Sequence, residues 1–133
     1  MGETATTGKT ILLVDDEETM RKILQRRLNA WGYAVLTAAD GLEGIELANQ
    51  HHPDLILLDA MMPRLNGLET CRRLKAQADT RDIPIILVTA NVSELLRQQV
   101  LEAGAMACLH KPFGTEALLE LIQQALGSPK LGR

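Results

Sequence analysis

Five side chains able to hold or move a charged group close four short apolar runs. Ile11–Val14 runs into Asp15 and Asp16, Leu55–Leu58 into Asp59, Ile85–Thr89 ends on Thr89 itself, and Ala107–His110 runs into Lys111 and Pro112. If those runs lie side by side, three carboxylates, a hydroxyl and an ammonium meet at one edge. Two carboxylates about 4 Å apart repel by about 4 kcal/mol at an effective dielectric near 20. Three of them with one lysine stay ionised together only if a cation joins them; otherwise some take up protons. An all-oxygen, carboxylate-rich set suits a hard divalent ion, Mg²⁺ first and Mn²⁺ next. Asp15, Asp16 and Glu17, taken alone, need do no more than favour the dipole of a following helix. Asp59, Thr89 and Lys111 at matching run ends ask for more than that.

The elements that must bring these residues together follow from periodicity. The four runs above are too short for a helix, rich in β-branched residues or bounded by Pro, Gly or Asp, and their continuous apolarity is that expected of strands covered on both faces. Ala34–Ala38 joins them, although Ala and Leu are poor strand markers. Between them lie helical patterns. Met20, Ile23, Leu24, Leu28 and Trp31 recur at helical spacing before a stop at Gly32, and Leu118, Leu121, Ile122 and Ala125 give the last helix its inner face. Three middle helices share a start signal, an Asp or Asn followed three residues later by Glu: Asp40 with Glu43, Asn66 with Glu69, and Asn91 with Glu94. In this variant of the capping box the first side chain accepts from an orphan backbone N–H and the Glu reaches back. Strand starts about 20–30 residues apart match the size of a βα unit. Five such units, joined by right-handed crossovers, predict an open, doubly wound α/β sheet of five parallel strands with helices on both faces. Ligands of such sheets bind beyond the carboxyl ends of the strands, where the five residues fall.

The 133 residues, 46% hydrophobic and 23% charged, make one domain with a core large enough to dispense with disulfide or metal staples. Trp31, Tyr33 and Phe113 are the only aromatics, so aliphatic side chains must fill that core. A net charge of −3 provides no basic field for a phosphate backbone, which disfavours nucleic acid as a direct partner. The apolar runs are too short to span a membrane. Cys71 and Cys108 stand far apart, outside metal-ligand spacing, as free thiols in a reducing cytosol would. Residues 10–126 are expected to form the domain, with small, polar and turn-forming residues at 1–9 and 127–133 as flexible ends.

The segments ILLVDDE, PDLILLDAMMPRLNG, PIILVTA and GAMACLHKPF, in that order and at that spacing, resemble the receiver domains of two-component response regulators. The resemblance covers roughly Lys9 to Leu126. It implies a flavodoxin-like fold with strand order 2-1-3-4-5, an order general to one class of doubly wound sheets. It implies that Asp59 accepts a phosphoryl group from the phosphohistidine of a sensor histidine kinase or phosphotransfer protein. Asp16 would ligate Mg²⁺ directly, Asp15 largely through an intervening water, and the backbone carbonyl of Met61 would complete the protein ligands with Asp59. Thr89 and Lys111 would hold phosphoryl oxygens beside the small Ala90, and Pro112 would follow a cis peptide. Such a domain promotes its own phosphorylation and its own dephosphorylation and is not a turnover enzyme. On phosphorylation Thr89 would be drawn inward, the Ala90–Ser93 loop would shift, and the surface of the fourth helix, fifth strand and fifth helix would change its hold on a downstream effector.

Cys108 departs from the family pattern, which carries Tyr or Phe three residues before the lysine; a rotating aromatic cannot carry the signal here. Met61 and Asn91, which flank the site, are expected to tune phosphoryl lifetime. His51 and His52 are expected at the surface, His110 at the periphery of the site, Arg26–Arg27 and Arg72–Arg73 on solvated helix faces with the first pair available to a kinase, Met61–Met62 in loop packing, and Trp31 in packing at a helix end. Phosphohydrolases of the haloacid dehalogenase type also use Asp, Thr, Lys and paired acids. They need an acid two residues past the nucleophile, where Met61 stands, and their paired acids come late in the chain. A degenerate receiver that only docks partners would not need Asp15, Asp16, Asp59, Thr89 and Lys111 together.

Overall fold

The computed structural model describes residues 7–62, 65–90 and 93–127. Its elements alternate without exception: β1 (Thr10–Val14), α1 (Glu18–Ala30), β2 (Ala34–Ala38), α2 (Gly41–His51), β3 (Leu55–Asp59), α3 (Gly67–Ala76), β4 (Ile85–Thr89), α4 (Glu94–Glu102), β5 (Ala107–His110) and α5 (Thr115–Leu126). The five strands form one sheet in the order β2-β1-β3-β4-β5, every pair parallel. The middle strands β3 and β4 are buried at every position, as continuous apolar runs demand.

Alternation along the strands divides the core in two. Leu12, Val14, Ile56, Leu58, Ile85 and Leu87 pack with Ala48, Cys71, Leu74 and Val100 from α2, α3 and α4. Ile11, Leu13, Leu55, Leu57, Ile86 and Val88 pack with Leu24, Leu28, Leu118 and Ile122 from α1 and α5. Trp31 lies against the second cluster, in packing at the end of α1 as expected.

Two of the three expected caps form. The Asp40 carboxylate accepts from Glu43 N at 2.8 Å, and Glu43 reaches back to accept from Ala39 N at 2.9 Å. Asn66 Oδ1 accepts from Glu69 N at 2.9 Å, while Glu69 turns outward to Arg72 and Arg73. The third expectation is corrected. Helix α4 begins at Glu94, and Ser93 is its cap, accepting from Leu96 N at 3.1 Å. Asn91 lies outside the described residues. A serine directly before the first helical residue supplies the acceptor.

Of the expected flexible ends, Thr7 donates through both its amide and its hydroxyl to the Gly32 carbonyl, at 3.0 and 3.2 Å. Gly127 follows α5 with φ +84°, donating to the Gln123 carbonyl. Residues 1–6 and 128–133 lie outside the described residues.

Candidate functional site

Parallel pairing sets Val14, Asp59 and Thr89 at the carboxyl ends of adjacent strands, with Asp59 opposite Val88 and Thr89 opposite His110. Asp15 follows β1 directly and is buried, as are Asp59 and Thr89; Asp16 is exposed. Ligand oxygens of Asp15, Asp16 and Asp59 lie within 4.8 Å of one another. Lys111 reaches in from the end of β5, its Nζ 3.6 Å from Asp59 Oδ2 and 3.8 Å from Asp15 Oδ2. The Lys111–Pro112 peptide is cis, as expected. The Lys111 amide donates to the Thr89 carbonyl at 2.8 Å, extending the β4–β5 ladder to the site. Asp59 Oδ1 accepts from Met61 N at 3.1 Å, so the backbone of Met61 lies against the acid.

Among the described residues the charges do not balance: one ammonium faces three carboxylates, two of them buried. Burial raises the Asp59 pKa above its ordinary value, and the Asp15 and Asp16 charges add to the rise. The Met61 N–H and Lys111 oppose it. A pocket of hard oxygen donors with unspent negative charge fits a divalent cation of the Mg²⁺ type, whose charge would relieve that repulsion. Asp15 is no helix cap: its Oδ1 accepts from Glu17 N at 2.8 Å across the β1–α1 turn, and α1 starts at Glu18 without a side-chain cap.

Other contacts at the site were not legible as spacing. Arg21, one turn into α1, donates from Nη1 to the Asp15 carbonyl at 2.6 Å and ties down the turn that carries the acid pair. Gly67 opens α3 directly under the end of β3. A Cβ there would strike the Asp59 carbonyl and stand 2.7 Å from Ala60 Cα, while its amide donates to the Ala60 carbonyl at 3.0 Å. The small residue closing the PRLNG segment is the signal that marks this close approach. Met61 and Met62 part company. Met62 is buried in the α2–α4 core, whereas Met61, expected in loop packing, is 64% exposed, because its amide must face Asp59 and its side chain is left to solvent. Cys108 packs on the same core, with its thiol pKa raised by burial. His51, His52 and His110 are exposed.

An open sheet of this order, with its acids and lysine converging at the carboxyl edge, defines the class of CheY-like, flavodoxin-fold receiver domains. The chain belongs to the response regulator receiver domain family, whose model matches residues 11–123. It is 45% identical to the response regulator MprA of Mycobacterium leprae over 120 residues, 90% of this chain and 52% of that protein. The chain thus spans about half the length of the curated relatives it matches. Among solved structures it superposes on the chemotaxis protein CheY4 of Vibrio cholerae with a TM-score of 0.85 and 34% identity, covering 89% of this chain and 98% of that one. It is also similar to the receiver domain of the sensor histidine kinase PA1611 from Pseudomonas aeruginosa PAO1, with a TM-score of 0.83 and 36% identity over 91% and 99% of the two chains. That structure has a magnesium ion coordinated in its active-site cleft. Among the described residues, no helix is long and apolar enough to cross a membrane.

Proposed function

We propose that this domain takes a phosphoryl group onto Asp59 from a phosphohistidine of a sensor histidine kinase or phosphotransfer protein, and later loses it to water. The observation that carries the proposal is the excess of negative charge around a buried, accessible-edge carboxylate: Asp15, Asp16 and Asp59 within 4.8 Å, with Lys111 as their described ammonium partner. Asp15, Asp16, Asp59 and the Met61 carbonyl would hold Mg²⁺ (Mn²⁺ also suits the donors), which when bound neutralises phosphoryl charge. Asp59 attacks phosphorus in line through a carboxylate oxygen, the phosphorus–nitrogen bond breaks, and the histidine leaves with its electron pair. Lys111 and the Thr89 hydroxyl hold phosphoryl oxygens and fix the line of attack. The same groups stabilise attack by water, so the domain resets itself and performs no turnover on a free substrate.

An apolar groove opens beside Lys111, lined by Met20, Ile23, Pro112 and Phe113 and reached by Arg27. A donor protein approaching Asp59 meets this wall, which supports docking there. The receiving partner downstream would read the face of α4, β5 and α5. Net charge −3 argues against direct nucleic-acid binding by this domain, and two free thiols support a cytoplasmic setting.

Incubation with Mg²⁺ and acetyl phosphate, followed by intact-mass measurement, tests the proposal. One added phosphoryl group is expected, absent from Asp59→Asn. Many turnovers of varied phosphomonoesters would instead make the chain a hydrolase, and an unchanged mass would leave a docking module.

A further inference from the structure

We propose that His110 is a positioning residue for the switch: its ring holds the first peptide after β4 in the resting place from which Thr89 must move. The inference rests on the phosphoacceptor reading above. Three observations carry it. His110 and Thr89 are register partners across β4 and β5. Both fall on the α4 side of the sheet, in step with Leu87 on β4 and Cys108 on β5, which pack on the α2–α4 core. His110 Nε2 lies 3.2 Å from the carbonyl oxygen of Ala90, the residue that follows Thr89. A carbonyl can only accept, so Nε2 carries the proton and donates.

Two successive carbonyls at the end of β4 are thereby held from β5 by different means. The Thr89 carbonyl takes the Lys111 amide at 2.8 Å as part of the sheet ladder. The Ala90 carbonyl takes a side chain, a contact that can be lost without unpairing the strands. When the Thr89 hydroxyl follows a phosphoryl group, Ala90 moves with it and the His110 contact gives way. That frees an exposed ring at the rim of the β5 surface. With Cys108 too small to swing into any space so opened, His110 is the β5 side chain placed to report the movement.

Beryllofluoride binding in the presence of Mg²⁺ reads this equilibrium, followed by titration of wild type and variants. Removing the contact destabilises the resting position alone, so His110→Ala and His110→Phe should bind beryllofluoride roughly two- to fivefold more tightly, the worth of one solvent-accessible hydrogen bond. His110→Gln presents an amide N–H at the place of Nε2 and should return affinity to the wild-type value. Mg²⁺ affinity without beryllofluoride should be the same in all four proteins. Equal beryllofluoride affinities, weaker binding by His110→Ala, a His110→Gln variant that follows the alanine, or a parallel change in Mg²⁺ affinity would each overturn the latch while leaving the acceptor assignment standing. Failure of the wild type to bind beryllofluoride with Mg²⁺ would overturn both.

Discussion

Asp59 is a buried carboxylate whose ionised form is kept at an energetic cost. Its neighbours and its burial raise its proton affinity, so the folded state binds that proton more tightly than the unfolded chain does. Ionising Asp59 therefore costs stability. The cost is absent below the ordinary carboxylate range, grows as pH rises toward the raised folded value, and is fully present above it. Asp59→Asn removes the charge and keeps an oxygen for the Met61 amide. In chelator near pH 7 the variant should melt above the wild type, and the gap should close as pH falls through the window between the two values. Thermal melts of both proteins across that range check the sign; a constant gap would place the effect elsewhere. Lys111, at 3.6 and 3.8 Å from its two acids, answers only part of the charge.

At the scale of elements, the site depends on how closely α3 approaches the end of β3. Gly67 is the contact point, and its hypothetical Cβ meets backbone atoms of Asp59 and Ala60 that cannot rotate aside. Gly67→Ala should force the start of α3 back, weaken the Gly67–Ala60 hydrogen bond, and cost about 1–3 kcal/mol as an overpacked contact does. If Asp59 is the phosphoacceptor proposed above, the displaced backbone carries the attacking group, and phosphorylation by acetyl phosphate should slow by roughly tenfold or more, given that a misplacement of about 1 Å can cost a hundredfold. Urea unfolding and the rate of mass gain test the two effects separately. On the other side of the acid pair, Arg21 holds the β1–α1 turn through the Asp15 carbonyl. Helices α1 and α3 therefore brace the pocket from opposite faces of the sheet.

Across the whole molecule, one sheet is clamped between two apolar layers, and the acids sit where both layers end. Only the folded chain gathers Asp15, Asp16 and Asp59, so a divalent ion that binds there stabilises folding by mass action. Mg²⁺ at about ten times its dissociation constant should add roughly 1.4 kcal/mol. For a domain of this size that raises the melting temperature by about 3–7 °C. The rise should shrink in Asp59→Asn and at low pH, where protons compete for the same oxygens. Calorimetry with and without the metal gives the answer, and an equal rise in the variant would move the ion to another place.

Much of this architecture is written locally. Short, continuous apolar runs made Ala34–Ala38, Ile85–Thr89 and Ala107–His110 readable to the residue, although only the inner strand β4 is buried throughout, and the edge strands β2 and β5 are partly exposed instead of covered on both faces. Alternation of βα units then leaves little freedom in where the carboxyl ends point, so Asp15, Asp16, Asp59, Thr89 and Lys111 could be picked out before any coordinates. Caps at Asp40 and Asn66 were legible for the same reason, being contacts over three residues. What depended on tertiary structure was every contact between parts distant in the chain, or between equally good local alternatives. The Ser93 cap of α4, the exposure of Met61 beside a buried Met62, the Gly67 approach to Asp59, and the His110 ring on the Ala90 carbonyl are of that kind. Periodicity reports which face a residue shares with its near neighbours. It carries no information on which atom of a remote segment will be opposite, because that is decided only when the layers close.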